Sequence, residues 1–281
     1  RLPGPGSRGL PRVIGDLQEH LSLLLLAVVQ GVTEFLAISS FGHLARGQLA
    51  LGVGEGSLVE DVVLHAGTLV AVVVFYRRDL LALARGVFDR TIVDGLDARR
   101  YVALIVLGNV PAGIVGIGFK DSIEGLFASP WAVLAAMGVT AVLLASTRRL
   151  TVRDHRLTWV GALAIGCAQA FAILPGASRS GWTIATALAL GLSPAAAARF
   201  SFLLSIPAIA GATVLQLSDV EGAHASVSAL GLGFAAAAIT GLFCLRWLVA
   251  LVRRMELHRF AWYLAAVVVV GALVLLAGAG G

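Results

Sequence analysis

Long apolar runs recur along the whole chain, and they limit its fold more than any other feature of the sequence. Each run is about 17 to 25 residues long, the length that an α-helix needs to cross the hydrocarbon core of a bilayer. The runs cover residues 17–36, 59–76, 101–118, 131–147, 157–174, 195–217, 226–251 and 260–278. A membrane β-barrel would need alternating strands of about ten residues, and the sequence has none. We therefore predict an all-α polytopic membrane protein.

The composition agrees with this prediction and excludes some partners. Of the 281 residues, 58% are hydrophobic and 13% charged, whereas soluble domains are about half apolar and a quarter charged. The net charge of +5 comes from arginines clustered between the apolar runs, as in the loops of membrane proteins, so we expect no nucleic-acid partner. Cys167 and Cys244 stand alone in apolar runs, so neither a disulfide nor a cysteine-bound metal is predicted.

Arginine is shared unevenly between the loops, and this predicts an orientation. Thirteen arginines lie in loops 77–100, 148–156 and 252–259, whereas loop 119–130 has only Lys120 and loop 218–225 has no basic residue. The positive-inside rule places the three arginine-rich loops in the cytoplasm and the other two outside. We therefore expect a multi-pass protein of the plasma (inner) membrane, with both termini outside.

This orientation conflicts with the simplest count of crossings. An odd number of crossings must separate the inside loop 148–156 from the outside loop 218–225, yet two apolar runs lie between them. The conflict disappears if residues 157–191 form a re-entrant hairpin that enters and leaves on the cytoplasmic side. By the same reasoning, residues 17–51 are expected to form a hairpin from the outer face.

A weak internal repeat supports two hairpins. At a constant offset of 139, Gln30 matches Gln169, Ser39 matches Ser178, Gly42 matches Gly181, and "LALG" at 49–52 recurs at 188–191, which gives seven identities over 23 positions. The alternative is chance similarity between helices rich in Ala, Leu and Gly. If the repeat is real, each half is a hairpin plus three crossings, and the odd number inverts the second half.

The repeat also predicts the domain organisation. The whole chain is expected to form one integral membrane domain. Within it, residues 1–16 are a flexible leader, residues 17–150 the first repeat and residues 151–281 the second. A polar site is expected near the membrane midplane, where the repeats meet.

Nearly all the polar chemistry within the apolar runs lies in two stretches, "QGVTEFLAISSFGH" at 30–43 and "PGASRSGWT" at 175–183. Ionisable groups at this depth are expensive and are paired or functional by default. A purely structural ion pair between Glu34 and Arg179 is one interpretation. It leaves the many hydroxyl groups and His43 unexplained.

The other interpretation is a site for phosphate oxygens. Arg179 can bind such oxygens with two parallel hydrogen bonds, and the helix start after the Pro-Gly break adds backbone donors. The first stretch supplies Glu34 as base or metal ligand, Ser40 as nucleophile and His43 as acid, base or nucleophile. We assign substrate binding to Gln30, Ser39, Ser178, Ser180, Gly181 and Thr183. His65, Arg46 and Arg199 could also line the site, but a helix-end or loop-facing position is favoured for the two arginines. Gln169 is expected to bond a neighbouring helix and Trp182 to pack.

These two stretches resemble the motifs of the undecaprenyl-diphosphate phosphatase family, also called the bacitracin-resistance family. The first family motif is (E/Q)-x-x-x-E followed by F-L-P-x-S-S-x-G-H, and the second is P-G-x-S-R-S-G-x-T. The second fits throughout, and similarity extends over nearly the whole chain. Two positions depart from the first motif. Ala37 replaces the usual proline, which is expected to weaken the helix break in the first hairpin. Phe41 replaces a small residue, which is expected to change access to the site.

The resemblance implies a membrane hydrolase that removes the terminal phosphate of a C55 polyprenyl diphosphate. The product is the monophosphate carrier lipid for peptidoglycan synthesis, and the activity confers resistance to bacitracin. The resemblance also implies a divalent cation, Mg²⁺ or Ca²⁺, with Glu34 as its protein ligand. The nucleophile stays open between Ser40, His43 and water.

Two other function classes compete with the hydrolase. A flippase or transporter of a polyprenyl phosphate could use the same site without chemistry, and a structural membrane subunit would leave the buried charges incidental. Phosphate release from a polyprenyl diphosphate separates the hydrolase from both. The sequence does not define the oligomeric state and leaves a homodimer open.

Overall fold

The structure, a computed structural model, describes residues 9–51, 58–89, 91–127, 129–217 and 225–278. It is built almost entirely from helices. In chain order these are α1 (Gly9–Phe35), α2 (Ser40–Leu51), α3 (Leu58–Phe75), α4 (Arg77–Asp89), α5 (Ala98–Gly118), α6 (Lys120–Phe127), α7 (Pro130–Ser146), α8 (Trp159–Phe171), α9 (Arg179–Ala189), α10 (Pro194–Leu217), α11 (Val227–Arg253) and α12 (Arg259–Gly278). A short hairpin of β1 (Ile92–Val93) and β2 (Leu96–Asp97) lies between α4 and α5.

The structure is mostly helical, as predicted, and the helix lengths agree with a multi-pass membrane protein. Among the residues described, five helices are long and apolar enough to cross a membrane, namely α5, α7, α10, α11 and α12. Helices α3 and α4 pass the same test as a pair, bent by 70°, and would provide a sixth crossing.

Local sequence signals set the starts of several helices. The Ser129 hydroxyl accepts a hydrogen bond from Ala132 N at 3.3 Å, and Pro130 opens α7. Ser193 does the same for Ala196 N at 3.4 Å, and Pro194 opens α10. Both serine–proline pairs are therefore N-caps followed by proline at the first helical position, as the sequence predicts.

Small residues let the helices of the two halves approach closely. A Cβ atom added at Gly166 of α8 would lie 2.3 Å from the Gly108 carbonyl oxygen of α5. On the other side of the molecule, a Cβ atom at Gly31 of α1 would lie 2.9 Å from the Ala237 carbonyl oxygen of α11. Tight crossings of this kind are typical of membrane helix bundles. They hold α1 against α11 and α8 against α5, within about two turns of the ends of α1 and α8.

Helices α8 and α9 are too short to cross a bilayer separately. They have 13 and 11 residues, which at 1.5 Å per residue correspond to about 20 and 17 Å, against a hydrocarbon core of about 30 Å. His155 N, before α8, donates to the Gly191 carbonyl oxygen, after α9, at 2.9 Å. The two ends of this hairpin therefore meet at one end of the molecule.

The predicted loop 77–100 contains structure that counting charges does not reveal. Its first part is the amphipathic helix α4, which buries Leu83 and Gly86, and its last part is the β-hairpin. Likewise, α6 lies within the predicted loop 119–130. The predicted leader is only partly described, because α1 begins at Gly9 and residues 1–8 lie outside the described residues.

Arg199 of α10 joins that helix to α4 and to the β-hairpin, both within the predicted arginine-rich loop 77–100. Its Nε atom lies 2.9 Å from Asp79 Oδ1 at the start of α4, and its Nη1 atom pairs with Asp94 in the turn of the β-hairpin. The Tyr101 hydroxyl donates to Asp94 Oδ2 at 3.3 Å. Burial raises the pKa of Asp94, and the Arg199 charge opposes this rise. Arg199 therefore serves this network rather than the candidate site.

We predict that replacing Arg199 by leucine lowers the free energy of unfolding. The change leaves two partly buried carboxylates without their counter-ion, which should cost about 1–3 kcal/mol after allowance for partial exposure. Thermal unfolding in detergent measures the effect, with Arg148→Leu, an exposed arginine, as the matched control.

The loss should also depend on pH. A carboxyl group whose pKa is raised by folding stabilises the folded state at low pH and loses that contribution as the pH rises through the folded pKa. The variant should therefore be most destabilised near neutral pH, and the difference should shrink toward about pH 4, the usual pKa of Asp. An Arg199→Leu protein as stable as the Arg148→Leu control at neutral pH would contradict the network.

Candidate active site

The two polar stretches meet at an ion pair between Glu34 and Arg179. Glu34 lies in the last turn of α1, and Arg179 is the first residue of α9. Arg179 Nη2 donates to Glu34 Oε1, and the two side chains are only 17% and 8% exposed. The pair satisfies two charges that would each be expensive alone in the membrane. It also fixes the end of one hairpin against the start of a helix in the other.

Three further side chains surround the Glu34 carboxylate. Gln30 Nε2, one turn earlier on α1, donates to Glu34 Oε2 at 3.2 Å. The Ser40 hydroxyl also lies close to the carboxylate. On α3, His65 Nε2 lies 3.9 Å from Glu34 Oε2, while His65 Nδ1 donates to the Asp61 carbonyl oxygen at 2.8 Å. His65, which the sequence leaves as one of several residues that could line the site, therefore belongs to it.

The first hairpin breaks just before Ser40. Helix α1 ends at Phe35, and α2 begins at Ser40 after a turn. Ser39 makes the turn with a φ angle of +69°, a left-handed conformation that is uncommon for residues other than glycine and stores strain. Strain of this kind concentrates at functional sites, and here it brings the Ser40 hydroxyl to Glu34.

The second hairpin breaks at the Pro-Gly pair. Gly176 has a φ angle of +93°, and a Cβ atom there would lie 2.2 Å from the Val133 carbonyl oxygen of α7, so only glycine fits. Ser178 caps α9 by accepting from Gly181 N at 3.2 Å. The start of α9, with Arg179 as its first residue, is therefore held firmly beside the end of α1.

Other predicted hydroxyl groups hold the two hairpins together. The Ser180 hydroxyl donates to the Phe35 carbonyl oxygen at 2.9 Å. The Thr183 hydroxyl donates to the Arg179 carbonyl oxygen at 2.8 Å and also contacts the Ser201 hydroxyl of α10. These contacts give Ser180 and Thr183 a bracing role. Phosphate binding by either residue stays a prediction.

Four buried side-chain atoms lack a hydrogen-bond partner among the described residues, and three of them belong to the two polar stretches. These are Gln30 Oε1, Ser39 Oγ and Arg179 Nη1, while the fourth is Gln169 Oε1. Buried polar atoms are normally satisfied. Arg179 Nη1 and Ser39 Oγ are donors, so an anion would satisfy both, and Gln30 Oε1 is an acceptor that suits a cation.

His43 faces helix α12 instead of the ion pair. Its Nδ1 atom lies 2.7 Å from the Ser39 carbonyl oxygen, and its Nε2 atom lies 2.7 Å from the Tyr263 hydroxyl. Tyr263 is not among the site residues that the sequence predicts. An aromatic residue near the start of an apolar helix is typical of the membrane interface, so the sequence gives little signal that this residue contacts the site.

Two less central residues take the positions that the sequence predicts. Gln169 Nε2 of α8 donates to Asn109 Oδ1 of α5 at 3.1 Å, which confirms an interhelical hydrogen bond. Trp182 packs against Phe171, with ring centroids 4.2 Å apart. The side chains of Arg46 and Phe41 lie outside the described part of the structure.

The comparison with known proteins gives the family. Residues 23–270 match the family described as bacitracin resistance protein BacA. The chain belongs to the BacA family. A protein of Rubrobacter xylanophilus named undecaprenyl-diphosphatase is 43% identical over 271 residues, covering 92% of this chain and 99% of that protein.

Further relatives carry the same name. The undecaprenyl-diphosphatase of Desulfatibacillum aliphaticivorans is 42% identical over 270 residues, covering 89% of this chain and 98% of that protein. The undecaprenyl-diphosphatase of Methanosphaera stadtmanae is 40% identical over 261 residues, covering 86% of this chain and 93% of that protein. The likeness therefore covers nearly the whole length of each protein.

The departure from the BacA motif at Ala37 lies where the hairpins touch. Ala37 is fully buried, and a Cβ atom added at Gly181 would lie 3.2 Å from the Ala37 Cβ atom. The first helix break forms without the family's proline, because the left-handed Ser39 makes the turn. Gly181, which has no side chain, thus permits the close approach of the two hairpins.

The donor atoms of the site determine how a divalent cation would fit. Within the ranges that the structure describes, no group of three or more His, Cys, Asp and Glu side chains could hold a metal ion. A cation bound partly by substrate phosphates needs only one or two protein carboxylates. Glu34 Oε2 and the unpartnered Gln30 Oε1 suit that arrangement, so the residues fit a shared cation better than a permanent protein-bound one.

Proposed function

We propose that this protein is an undecaprenyl-diphosphate phosphatase, which converts C55 polyprenyl diphosphate into the monophosphate carrier lipid and inorganic phosphate. The observation that carries the proposal is Arg179, 17% exposed, which has one nitrogen on Glu34 and another without a partner, together with the unpartnered Ser39 hydroxyl in the other polar stretch. The names of relatives that are 40 to 43% identical support it. In the cell, this activity recycles the carrier for peptidoglycan synthesis and confers bacitracin resistance.

The geometry favours Ser40 as the nucleophile. Its hydroxyl lies close to the Glu34 carboxylate, so Glu34 can take the proton as the Ser40 oxygen attacks the terminal phosphorus. The bond from that phosphorus to the bridging oxygen breaks, and the lipid monophosphate leaves. Water then hydrolyses the phosphoserine. Direct attack by water on the diphosphate is the second mechanism.

Arg179 and its neighbours bind the substrate and stabilise the charge that develops during transfer. Arg179 Nη1 and Ser39 Oγ donate to terminal phosphate oxygens, which gives the largest electrostatic contribution. A divalent cation held by Glu34 and Gln30 would neutralise phosphate charge when bound. His43 is a weaker candidate for the nucleophile, because both of its ring nitrogens already have partners.

An assay in proteoliposomes tests the proposal against transport. Purified protein receives C55 diphosphate labelled in its terminal phosphate, with and without chelator. We expect one labelled inorganic phosphate for each monophosphate lipid formed, and less of both with chelator. Movement of intact diphosphate lipid between leaflets without release of label would favour a flippase instead.

An inverted repeat with two re-entrant hairpins is the arrangement that we propose for the fold. Helix breaks before Ser40 and Arg179 support it, since these residues are 139 positions apart. The packing of helices supports it too: α1 lies on α11 as α8 lies on α5, α3 lies on α11 as α10 lies on α5, and α7 pairs with α12. The contact between His155 and Gly191 closes the second hairpin at one end. A homodimer stays a prediction.

The site is proposed to open to the outer face of the plasma (inner) membrane. Glu19, near the start of α1, accepts from Ser226 N at 2.5 Å, before α11. Helix α11 ends at Arg253 in an arginine-rich loop. The start of the first hairpin therefore lies at the end of the molecule opposite that loop, which the positive-inside rule assigns to the cytoplasm.

Cysteine labelling is expected to confirm this orientation. Ser228→Cys and Ser146→Cys are introduced separately into a chain whose Cys167 and Cys244 are replaced by alanine. An impermeant maleimide should label the Ser228 variant on intact cells and the Ser146 variant only after permeabilisation. The reverse pattern would contradict the orientation.

A further inference from the structure

Tyr263 connects α12 to the first hairpin through His43. The Tyr263 hydroxyl lies 2.7 Å from His43 Nε2, and the two rings stack with centroids 5.9 Å apart. The neighbouring residue Trp262 is 75% exposed. Tyr263 is itself 44% exposed, less than Trp262, and its hydroxyl contacts the first hairpin.

The hydrogen bonds define which ring atom of His43 carries the proton. The Ser39 carbonyl oxygen can only accept, so His43 Nδ1 must donate to it over 2.7 Å. In the neutral ring, Nε2 is then an acceptor, and the Tyr263 hydroxyl donates to it. Because an imidazole held at both nitrogens cannot rotate, Tyr263 and Ser39 together fix the plane of His43.

His43 holds Ser39, the residue whose backbone conformation is strained. Ser39 has a φ angle of +69°, and its carbonyl oxygen is the atom that His43 holds. Ser40 follows directly and begins α2, with its hydroxyl close to Glu34. A contact that stabilises the Ser39 conformation therefore also stabilises the position of Ser40.

We propose that Tyr263 is a positioning residue for the proposed phosphatase reaction: its hydroxyl group holds His43, which holds the turn at Ser39 and so aims the Ser40 hydroxyl at the substrate. This role rests on the proposed function. It assigns to α12, the last described helix, a part in the site formed by the two hairpins. Tyr263 acts through the His43 ring and takes no part in the transfer itself.

Tyr263→Phe tests this role, because phenylalanine keeps the ring stack and loses only the hydroxyl group. We expect kcat for phosphate release from C55 diphosphate to fall about tenfold. The reason is that one lost hydrogen bond raises the barrier by about 1.4 kcal/mol when it positions a reacting group. KM should stay within about twofold, since the phosphate-binding Arg179 is untouched. Trp262→Phe, the exposed neighbour, should keep the kcat of the wild type.

Each outcome decides the proposal. A Tyr263→Phe protein with the kcat of the wild type would overturn it, because the ring alone would then suffice. If Tyr263→Phe and Trp262→Phe lower kcat by the same factor and also lower the melting temperature equally, the role of Tyr263 is in packing. That result would also overturn the proposal. A wild-type protein that releases no phosphate would remove the proposed function itself, which is a separate result.

Discussion

Replacing Arg179 by alanine is expected to lower kcat/KM for phosphate release about a thousandfold. The change removes the unpartnered Nη1 donor and the charge opposite Glu34, and arginines that stabilise phosphoryl transfer contribute effects of this size. Arg179→Lys keeps the charge and loses the planar fork, so its activity should lie between the alanine variant and the wild type. Phosphate release in detergent at several substrate concentrations measures both.

The alanine variant alone leaves Glu34 buried without its partner, which destabilises the fold for reasons unrelated to catalysis. The double variant Glu34→Gln with Arg179→Met removes both charges and restores electrical balance. We expect it to unfold at a temperature near that of the wild type and to remain inactive. Activity recovered along with stability would show that the pair is purely structural, and would refute the catalytic assignment.

Glu34→Gln is predicted to lower kcat by a factor of about 10² to 10⁴, the range for a lost general base. Glutamine keeps the size of the side chain and an oxygen for Arg179, but it cannot take the proton of Ser40. It also removes the carboxylate beside Gln30 that would bind a cation. Stopped assays with C55 diphosphate, with and without added Mg²⁺ or Ca²⁺, measure both effects.

Glu19→Gln is the matched control for Glu34→Gln. Glu19 lies on the same helix and bonds Ser226 N at the far end, so its loss should leave kcat unchanged. Equal activities of the Glu34 and Glu19 variants would contradict the role of Glu34 as base. Added cation that restores Glu34→Gln to the rate of the wild type would likewise argue against it.

The sequence predicts the helix starts and the central ion pair well, and physical reasons explain why. Ser129 and Ser193 act through neighbours within one turn, so local sequence is sufficient to recognise them. An arginine and a glutamate inside apolar runs must find partners, so the pairing of Arg179 with Glu34 can be expected even across 145 positions.

The sequence does not reveal contacts that depend on how distant helices pack. His65 is one histidine on an apolar helix, and only the packing of α3 against α1 brings it to Glu34. Tyr263 resembles an interfacial aromatic residue until α12 is placed beside α2. Helix α4 is missed for a different reason. Residues 77–100 are predicted to be a loop from their arginines, and that count takes no account of the helical spacing of the apolar residues.

A phosphatase of this kind bonds the oxygen atom of water to the terminal phosphorus of the diphosphate. It does so either directly or by hydrolysis of a phosphoenzyme. Purified protein in lipid nanodiscs is given C55 diphosphate in ¹⁸O-enriched water. Mass spectrometry of both products then shows which of them carries the ¹⁸O atom. We expect one ¹⁸O atom in the released inorganic phosphate and none in the lipid monophosphate. Label in the lipid monophosphate, or no phosphate release by the wild-type protein, would contradict it.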